Sequence, residues 1–342
     1  MSCYHPLVGL WKGEYTANGK KKYQIEGKVD IHDVPSVYEP ILIPCGHCIG
    51  CRLDYSRSWA DRMMLELETA KKAIFVTLTY SEETLCDLQG DHATYTYFDG
   101  VNAYASLCKR DCQLFMKNLR RSFDGQNGKS FRKIRFFLAG EYGPRTQRPH
   151  YHAIIFGLGL DDFPDLESHG RNELGQNYYI SMALSDIWSH GFVLLSDVSW
   201  KTCAYVARYV TKKLSGPMSI EYAERNVIPE FSLMSRKPGI GRDYLELHPD
   251  CLDMKNINLS TPEGGLKIQI PKYYYKQLIS DSEKNTLRDP ERYDKIMKER
   301  KEYAEDRMIL ELQKTGLGFL DYLEMKEQKK LESAKLLKRG DV

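Results

Sequence analysis

Hydrophobic positions recur along this chain with two periods. Over residues 52–72, Trp59, Met63 and Leu67 stand at i, i+4 and i+8, the spacing of one helical face. Residues 72–80, KAIFVTLTY, are a β-branched and aromatic run that predicts a buried strand. Residues 81–104 are polar and turn-like. Residues 109–123 predict a helix with Leu114, Phe115 and Leu119 inward and the basic side chains outward. Two strands follow, 134–142 (IRFFLAGEY) and 150–157 (HYHAIIFG), joined by the seven-residue loop GPRTQRP and so expected to pair antiparallel. A helix over 181–189, a strand over 191–198 and a helix over 201–214 complete the series β-α-β-β-α-β-α. That order predicts an α+β fold with a split βαβ arrangement, an antiparallel sheet carrying helices on one face.

The flanks differ in texture. Residues 1–52 are rich in Gly, Pro and Lys, lack a helical period and carry a cysteine cluster; they read as an arm of loops and short strands. Residues 53–216 form the predicted domain. Residues 217–342 read as an extension ending in a charge-laced helical tail from about 290 to 338. With 342 residues and 42% hydrophobic content there is material for a core, which excludes wholesale disorder. No apolar run approaches the ~20 residues of a membrane span, and the N-terminus lacks the pattern of a secretory signal. Nine cysteines, an odd count, favour a reducing compartment over a disulfide framework.

The net charge of +2 hides an uneven distribution. Between Lys109 and Arg148 eleven Lys or Arg face three acids, and residues 200–216 hold Lys201, Arg208, Lys212 and Lys213 with no acid. Such excess suits a polyanion, or a solvated basic face. The chemistry in the same interval separates these readings. His150 and His152 are two apart in a strand and point to one side. Glu141 ends the preceding strand, and closing the hairpin brings it alongside. Two imidazoles and one carboxylate suit a divalent ion such as Mg²⁺ or Mn²⁺, although a His-x-His pair alone can be no more than two satisfied histidines. Tyr205 and Tyr209 stand at i, i+4 on the last predicted helix, with Lys212 and Lys213 one turn on. Two phenols and two lysines suit covalent attack on a phosphate; the plain alternative is a packed aromatic pair.

Together, FVTLTY, GEYG…RPHYHAIIFG and YVARYVTKK resemble the HUH endonucleases, RRM-like enzymes that initiate rolling-circle replication. PCGHCIGCRLDYSRSWADR, LMSRKPGIG and PKYYYKQL are similar to the replication initiators of microviruses, the gokushoviruses in particular. The resemblance covers residues 1 to about 280. One position departs from it: Tyr151 stands where an aliphatic residue is usual. The resemblance implies a metal held by Glu141, His150 and His152, and Tyr205 or Tyr209 attacking an origin phosphate to leave a 5′-phosphotyrosine and a free 3′-hydroxyl. The second tyrosine then cuts the regenerated origin, and Lys212 or Lys213 assists. Implied partners are the single-stranded origin and the host's replicative helicase and polymerase, in the bacterial cytoplasm and away from membranes. Rival readings are an HUH transposase or relaxase, and a non-catalytic single-stranded-DNA-binding protein.

Other residues carry separate expectations. Cys45, Cys48 and Cys51 form C-x₂-C-x₂-C, and with Cys3 and His5 they can supply a tetrahedral Zn²⁺ site; reduced structural cysteines or an iron–sulfur cluster are the alternatives. Arg145, Arg148, Lys201 and Arg208 are candidate DNA contacts. So are Arg236 and Lys237, in a glycine-bearing loop that can approach a phosphate backbone or be a plain surface turn. Trp59, Tyr273, Tyr274 and Tyr275 can stack on unpaired bases or simply pack.

Overall fold

The computed structural model describes residues 3–16, 21–27, 30–87, 89, 91–98, 100–101, 103–123, 133–143, 145–171, 175–209, 217–281 and 285–336. They form two compact units: residues 1–55 with 277–339, and residues 56–276. The expected three-part linear division is therefore redrawn. The N-terminal arm and the helical tail belong to one unit, and residues 217–276 belong to the other.

In the first unit, β1 (Leu7–Tyr15) is the centre of a three-stranded sheet, flanked by β2 (Lys21–Gly27) and β3 (Glu39–Ile43), all antiparallel. The helix α1 (Ile49–Ala70) starts here and runs on into the second unit.

The second unit is built on a seven-stranded antiparallel sheet. Its central strands are β4 (Ala73–Thr79), β7 (Arg135–Tyr142), β8 (Pro149–Phe156) and β11 (Val193–Asp197), in the order β7-β8-β4-β11. Strand β8 lies between β4 and β7, which is the expected split βαβ arrangement. Before β7 come the short helix α2 (Glu82–Cys86), the hairpin β5 (Tyr95–Phe98) and β6 (Ala103–Ala105), and the helix α3 (Lys109–Phe123). After β8 come β9 (Glu167–Arg171), β10 (Asn177–Ile180) and the helix α4 (Met182–Trp188), and β10 and β9 extend the sheet beyond β11. Helix α5 (Trp200–Tyr209) follows β11, and α6 (Pro217–Glu224) leads to β12 (Phe231–Met234), which pairs with β7 as the other edge. The unit closes with α7 (Arg242–Leu247), the hairpin β13 (Asn256–Thr261) and β14 (Gly264–Gln269), and α8 (Lys272–Leu278), whose end passes into the first unit. The tail is α9 (Pro290–Thr315) and α10 (Phe319–Leu336).

Strand alternation sorts the sheet into two faces. Ile74, Val76 and Leu78 of β4, Tyr151, Ala153 and Ile155 of β8, and Val193 and Leu195 of β11 pack with Cys112, Phe115, Met116 and Leu119 of α3 and with Leu184 and Trp188 of α4. The opposite face is covered too, contrary to the expectation of one covered face. Helix α5 lies against β7 and β8, and Trp59 of α1 packs on Phe137 with ring centroids 5.0 Å apart. The reason is that β4, β7 and β8 are apolar on both sides: Phe75, Phe137, Ile154 and Phe156 also need cover.

Candidate active site and cysteine cluster

The register of three strands builds one site. Glu141 of β7 is paired with His150 of β8, and Thr79 and Thr77 of β4 are paired with His150 and His152. Glu141, His150 and His152 thus emerge together on the α5 face. Glu141 Oε1 lies 2.8 Å from His150 Nε2 and 3.0 Å from His152 Nε2. The three donor atoms are within 4.8 Å of one another. Glu141 and His152 are buried, and His150 keeps a partly open edge.

Outer partners fix both rings. His150 Nδ1 donates to the Arg148 carbonyl at 3.1 Å, and Thr77 Oγ1 lies 3.0 Å from His152 Nδ1. Phe75 stacks on His152 at 5.7 Å. The Nε2 atoms are left facing the carboxylate. Burial opposes ionisation of Glu141, but its contacts with the two imidazoles outweigh burial and hold its carboxyl at about 2. Two imidazole nitrogens turned toward one carboxylate oxygen call for positive charge between them. Protons on Nε2 supply it in the bare protein, and a divalent cation with a taste for N and O ligands fits the same place.

Helix α5 brings the phenol of Tyr205 to this point. Its hydroxyl is 3.3 Å from His152 Nε2, and its ring meets His152 edge-on at 5.0 Å. Cys203, Val206 and Ala207 seat the helix by burial. The guanidinium of Arg208 sits 5.4 Å from the Tyr205 ring centroid. Tyr209 closes the helix; its backbone is described and its side chain is not, and Lys212 and Lys213 lie outside the described residues.

The other candidates divide. Arg145 and Lys201 are exposed. Arg148 is engaged, with its guanidinium on Glu82 and on the Tyr80 carbonyl. Arg236 and Lys237 are exposed, but their loop is a packing element: Arg62 donates twice to the Ile240 carbonyl, Arg135 donates to Pro238, and Glu66 accepts from Gly241 N. The expected base-stacking aromatics are committed elsewhere. Trp59 and Tyr273 sandwich Arg62, at 4.2 and 3.9 Å, and Tyr274 and Tyr275 are buried. The basic residues of α3 stand on the sheet face opposite Glu141, so the charge excess of 109–148 does not line one surface.

In the first unit, Cys3, Cys45, Cys48 and Cys51 bring their sulfurs within 4.8 Å of one another. His5 is not among them. Its Nε2 lies 2.6 Å from Glu327 Oε2 on α10, which corrects its candidacy as a ligand: nearness to Cys3 in sequence does not aim the ring at the sulfurs. Sequence reasoning also missed Thr77 and the place of Arg208 beside Tyr205; the strand register and the i+3 position after Tyr205 were the available signals.

Comparison with known proteins settles the family. The profile of the family described as replication-associated protein ORF2 matches residues 73–214, the span from β4 through α5 and just beyond it. The replication-associated protein ORF2 of Spiroplasma virus 4 is 31% identical over 341 residues, 97% of this chain and 96% of its own length. The chain belongs to this replication-associated protein family. Within the family it is also similar to the replication-associated protein VP4 of Bdellovibrio phage phiMH2K, at 31% identity over 80% of this chain and 76% of the relative. The replication-associated protein ORF4 of Chlamydia phage 1 is 28% identical over 71% of this chain and 56% of its own length. These family members come from small phages, as the sequence resemblance implied. No solved structure matches the chain. Among the described residues no helix is long and apolar enough to cross a membrane.

Proposed function

We propose that this chain nicks and rejoins single-stranded DNA at a phage replication origin and so initiates rolling-circle replication. The observation that carries the reading is the Tyr205 hydroxyl, 3.3 Å from a nitrogen of the Glu141–His150–His152 cluster. Those three residues would hold Mg²⁺ or Mn²⁺, which when bound polarises a phosphate and neutralises charge developing on it. Tyr205 Oη attacks the phosphorus. The P–O bond to the Tyr205 oxygen forms, the P–O3′ bond breaks, the phenolic proton is lost to solvent, and the departing 3′-oxygen takes one up. The products are a 5′-phosphotyrosine and a 3′-hydroxyl that a host polymerase extends behind a host helicase in the bacterial cytoplasm. Phosphodiester exchanges for phosphodiester, so a later attack by a 3′-hydroxyl reverses the link and closes a circle. Arg208, beside the Tyr205 ring, is placed to meet phosphate charge, with Lys201 and Arg145 as exposed contacts. Tyr209 is the second nucleophile, one helical turn or about 5.4 Å along the axis, with Lys212 or Lys213 assisting. The names of the phage relatives favour replication over transposition or conjugative transfer.

Single-stranded oligonucleotides tiling the cognate phage genome, labelled at the 5′-phosphate side and incubated with Mn²⁺, test this on denaturing gels. One oligonucleotide becomes covalently attached to protein. Tyr205→Phe moves the adduct to Tyr209 or lowers its yield at least tenfold. His150→Ala or His152→Ala abolishes it while DNA binding persists, because binding draws on the basic surface. Binding without any adduct, with every divalent metal tried, identifies a non-catalytic DNA-binding protein instead.

A further inference from the structure

The cysteine cluster plays no part in that chemistry and is built with care. Strands β1 and β3 pair from Leu7↔Ile43 onward, so the chain just before β1 and the chain just after β3 leave the ladder side by side. This brings Cys3 next to Cys45, whose N–H donates to Cys3 Sγ at 3.2 Å. A tight turn follows, with Gly46 at φ +80, a conformation that side chains resist. It returns Cys48, whose N–H donates to Cys45 Sγ at 3.3 Å. The start of α1 then supplies Cys51, whose N–H donates to Cys48 Sγ at 3.4 Å, and Tyr4 N–H donates to the same sulfur at 3.4 Å. Four backbone donors thus converge on three sulfurs, an environment that stabilises thiolate charge.

We infer that Cys3, Cys45, Cys48 and Cys51 bind one structural Zn²⁺ as a closed four-sulfur site. Spacing between sulfurs selects the occupant. A tetrahedral ion with Zn–S bonds of about 2.3 Å holds its sulfurs about 3.8 Å apart. Here Cys3 Sγ and Cys48 Sγ are 4.0 Å apart and no pair exceeds 4.8 Å. A four-iron cubane is gripped at four separate metal corners, so its cysteines stand on a wider frame than this cluster offers. A disulfide needs S–S contact of about 2.05 Å, and all nine cysteines are free. Sulfur-only ligation also excludes Mg²⁺ and Mn²⁺, which take oxygen. Four protein ligands leave no open position, so the role is structural: the ion staples the two ends of the β1–β3 pair to the first turn of α1.

Elemental analysis of purified full-length protein tests the inference. The Glu141→Ala/His150→Ala/His152→Ala variant is analysed beside the wild type, so that metal at the nuclease site cannot be mistaken for this one. Both should hold about one zinc per chain after dialysis. His5→Ala should keep it, and Cys48→Ser should lose at least nine-tenths of it. Refolding the wild type with Co²⁺ should give intense sulfur-to-metal charge-transfer bands of a tetrahedral four-thiolate site, a readout that holds even if the cysteine variants fail to fold. No zinc in the protein, iron with acid-labile sulfide, or loss of zinc in His5→Ala would each overturn the four-sulfur zinc site. None of these results bears on cleavage by Tyr205, which the oligonucleotide assay judges alone.

Discussion

At the scale of single residues, Tyr151 shows how this chain departs from its relatives' pattern without losing the site. The side chain between the two histidines points away from them, into the core beneath α3. An aliphatic residue would need only space there, whereas a tyrosine needs space and a hydrogen bond. Both are provided. Gly140, its cross-strand neighbour, has no side chain; a Cβ there would stand 3.0 Å from Tyr151 Cδ1 and 3.1 Å from Leu107 Cδ2. The hydroxyl accepts from Cys108 N–H at 2.8 Å and lies 2.7 Å from the Tyr80 hydroxyl, which donates to Asp111. Glu141 thus follows a glycine because the neighbouring ring occupies that position. Tyr151→Phe should destabilise by about 1–3 kcal/mol by stranding the Cys108 N–H. Gly140→Ala should cost about 1–3 kcal/mol by overpacking. Tyr151→Leu opens room for the added methyl, so Gly140→Ala/Tyr151→Leu should cost less than the sum of its parts. Denaturant titration reads all four proteins, and strict additivity would show that glycine and ring are not interlocked.

At the scale of elements, the loop after β12 invites a functional reading that its contacts redirect. Its glycines are explained by close packing. A Cβ at Gly239 would meet the Tyr273 hydroxyl at 2.7 Å, and Gly241 takes φ +79 with its carbonyl bonded to Tyr274. The backbone of the loop serves stability, and only its exposed Arg236 and Lys237 are available for DNA. The two roles separate by mutation. Arg62→Met removes both donors to the buried Ile240 carbonyl and should cost about 1–3 kcal/mol, with the midpoint of thermal unfolding falling by several degrees. Arg236→Ala/Lys237→Ala should leave that midpoint unchanged and weaken binding of a single-stranded oligonucleotide several-fold, more at low salt than at high. A lowered midpoint in the second variant would return these side chains to the structural network.

The same elements show what could be read from sequence. The strands at 73–79, 135–142 and 149–156 and the helix at 109–123 were legible because their apolar period is local and unbroken. From them the Glu141–His150–His152 cluster followed by register. Strands β12, β9 and β10 were not legible: each is four or five residues long and partly exposed, and its partner is named only by the three-dimensional sheet. The three-stranded N-terminal sheet escaped for a similar reason, since β2 is largely exposed and rich in Lys.

At the scale of the whole molecule, a unit assembled from both ends of the chain constrains what can be removed. Phe319, Tyr322 and Leu323 of α10 are buried together and pack with Ile31 and Leu42 of the N-terminal segment and with Met308 and Leu312 of α9. Gly316, at φ +67, ends α9 and lets α10 turn back. His5 adds its pairing with Glu327. The tail is therefore no appendage, although most of its outward face is charged and solvated. A chain ending at residue 288 loses this cluster, and each such side chain contributes about 1.5–3 kcal/mol by burial. The small sheet of β1 to β3 keeps too little core to stand alone. Limited proteolysis with mass analysis should find residues 5–48 resistant in the full chain and cut rapidly in the shortened one. Residues 56–276 should survive in both, because their core draws on neither end. Equal resistance of residues 5–48 in the two chains would mean that the N-terminal sheet holds itself together, and that α9 and α10 only lie upon it.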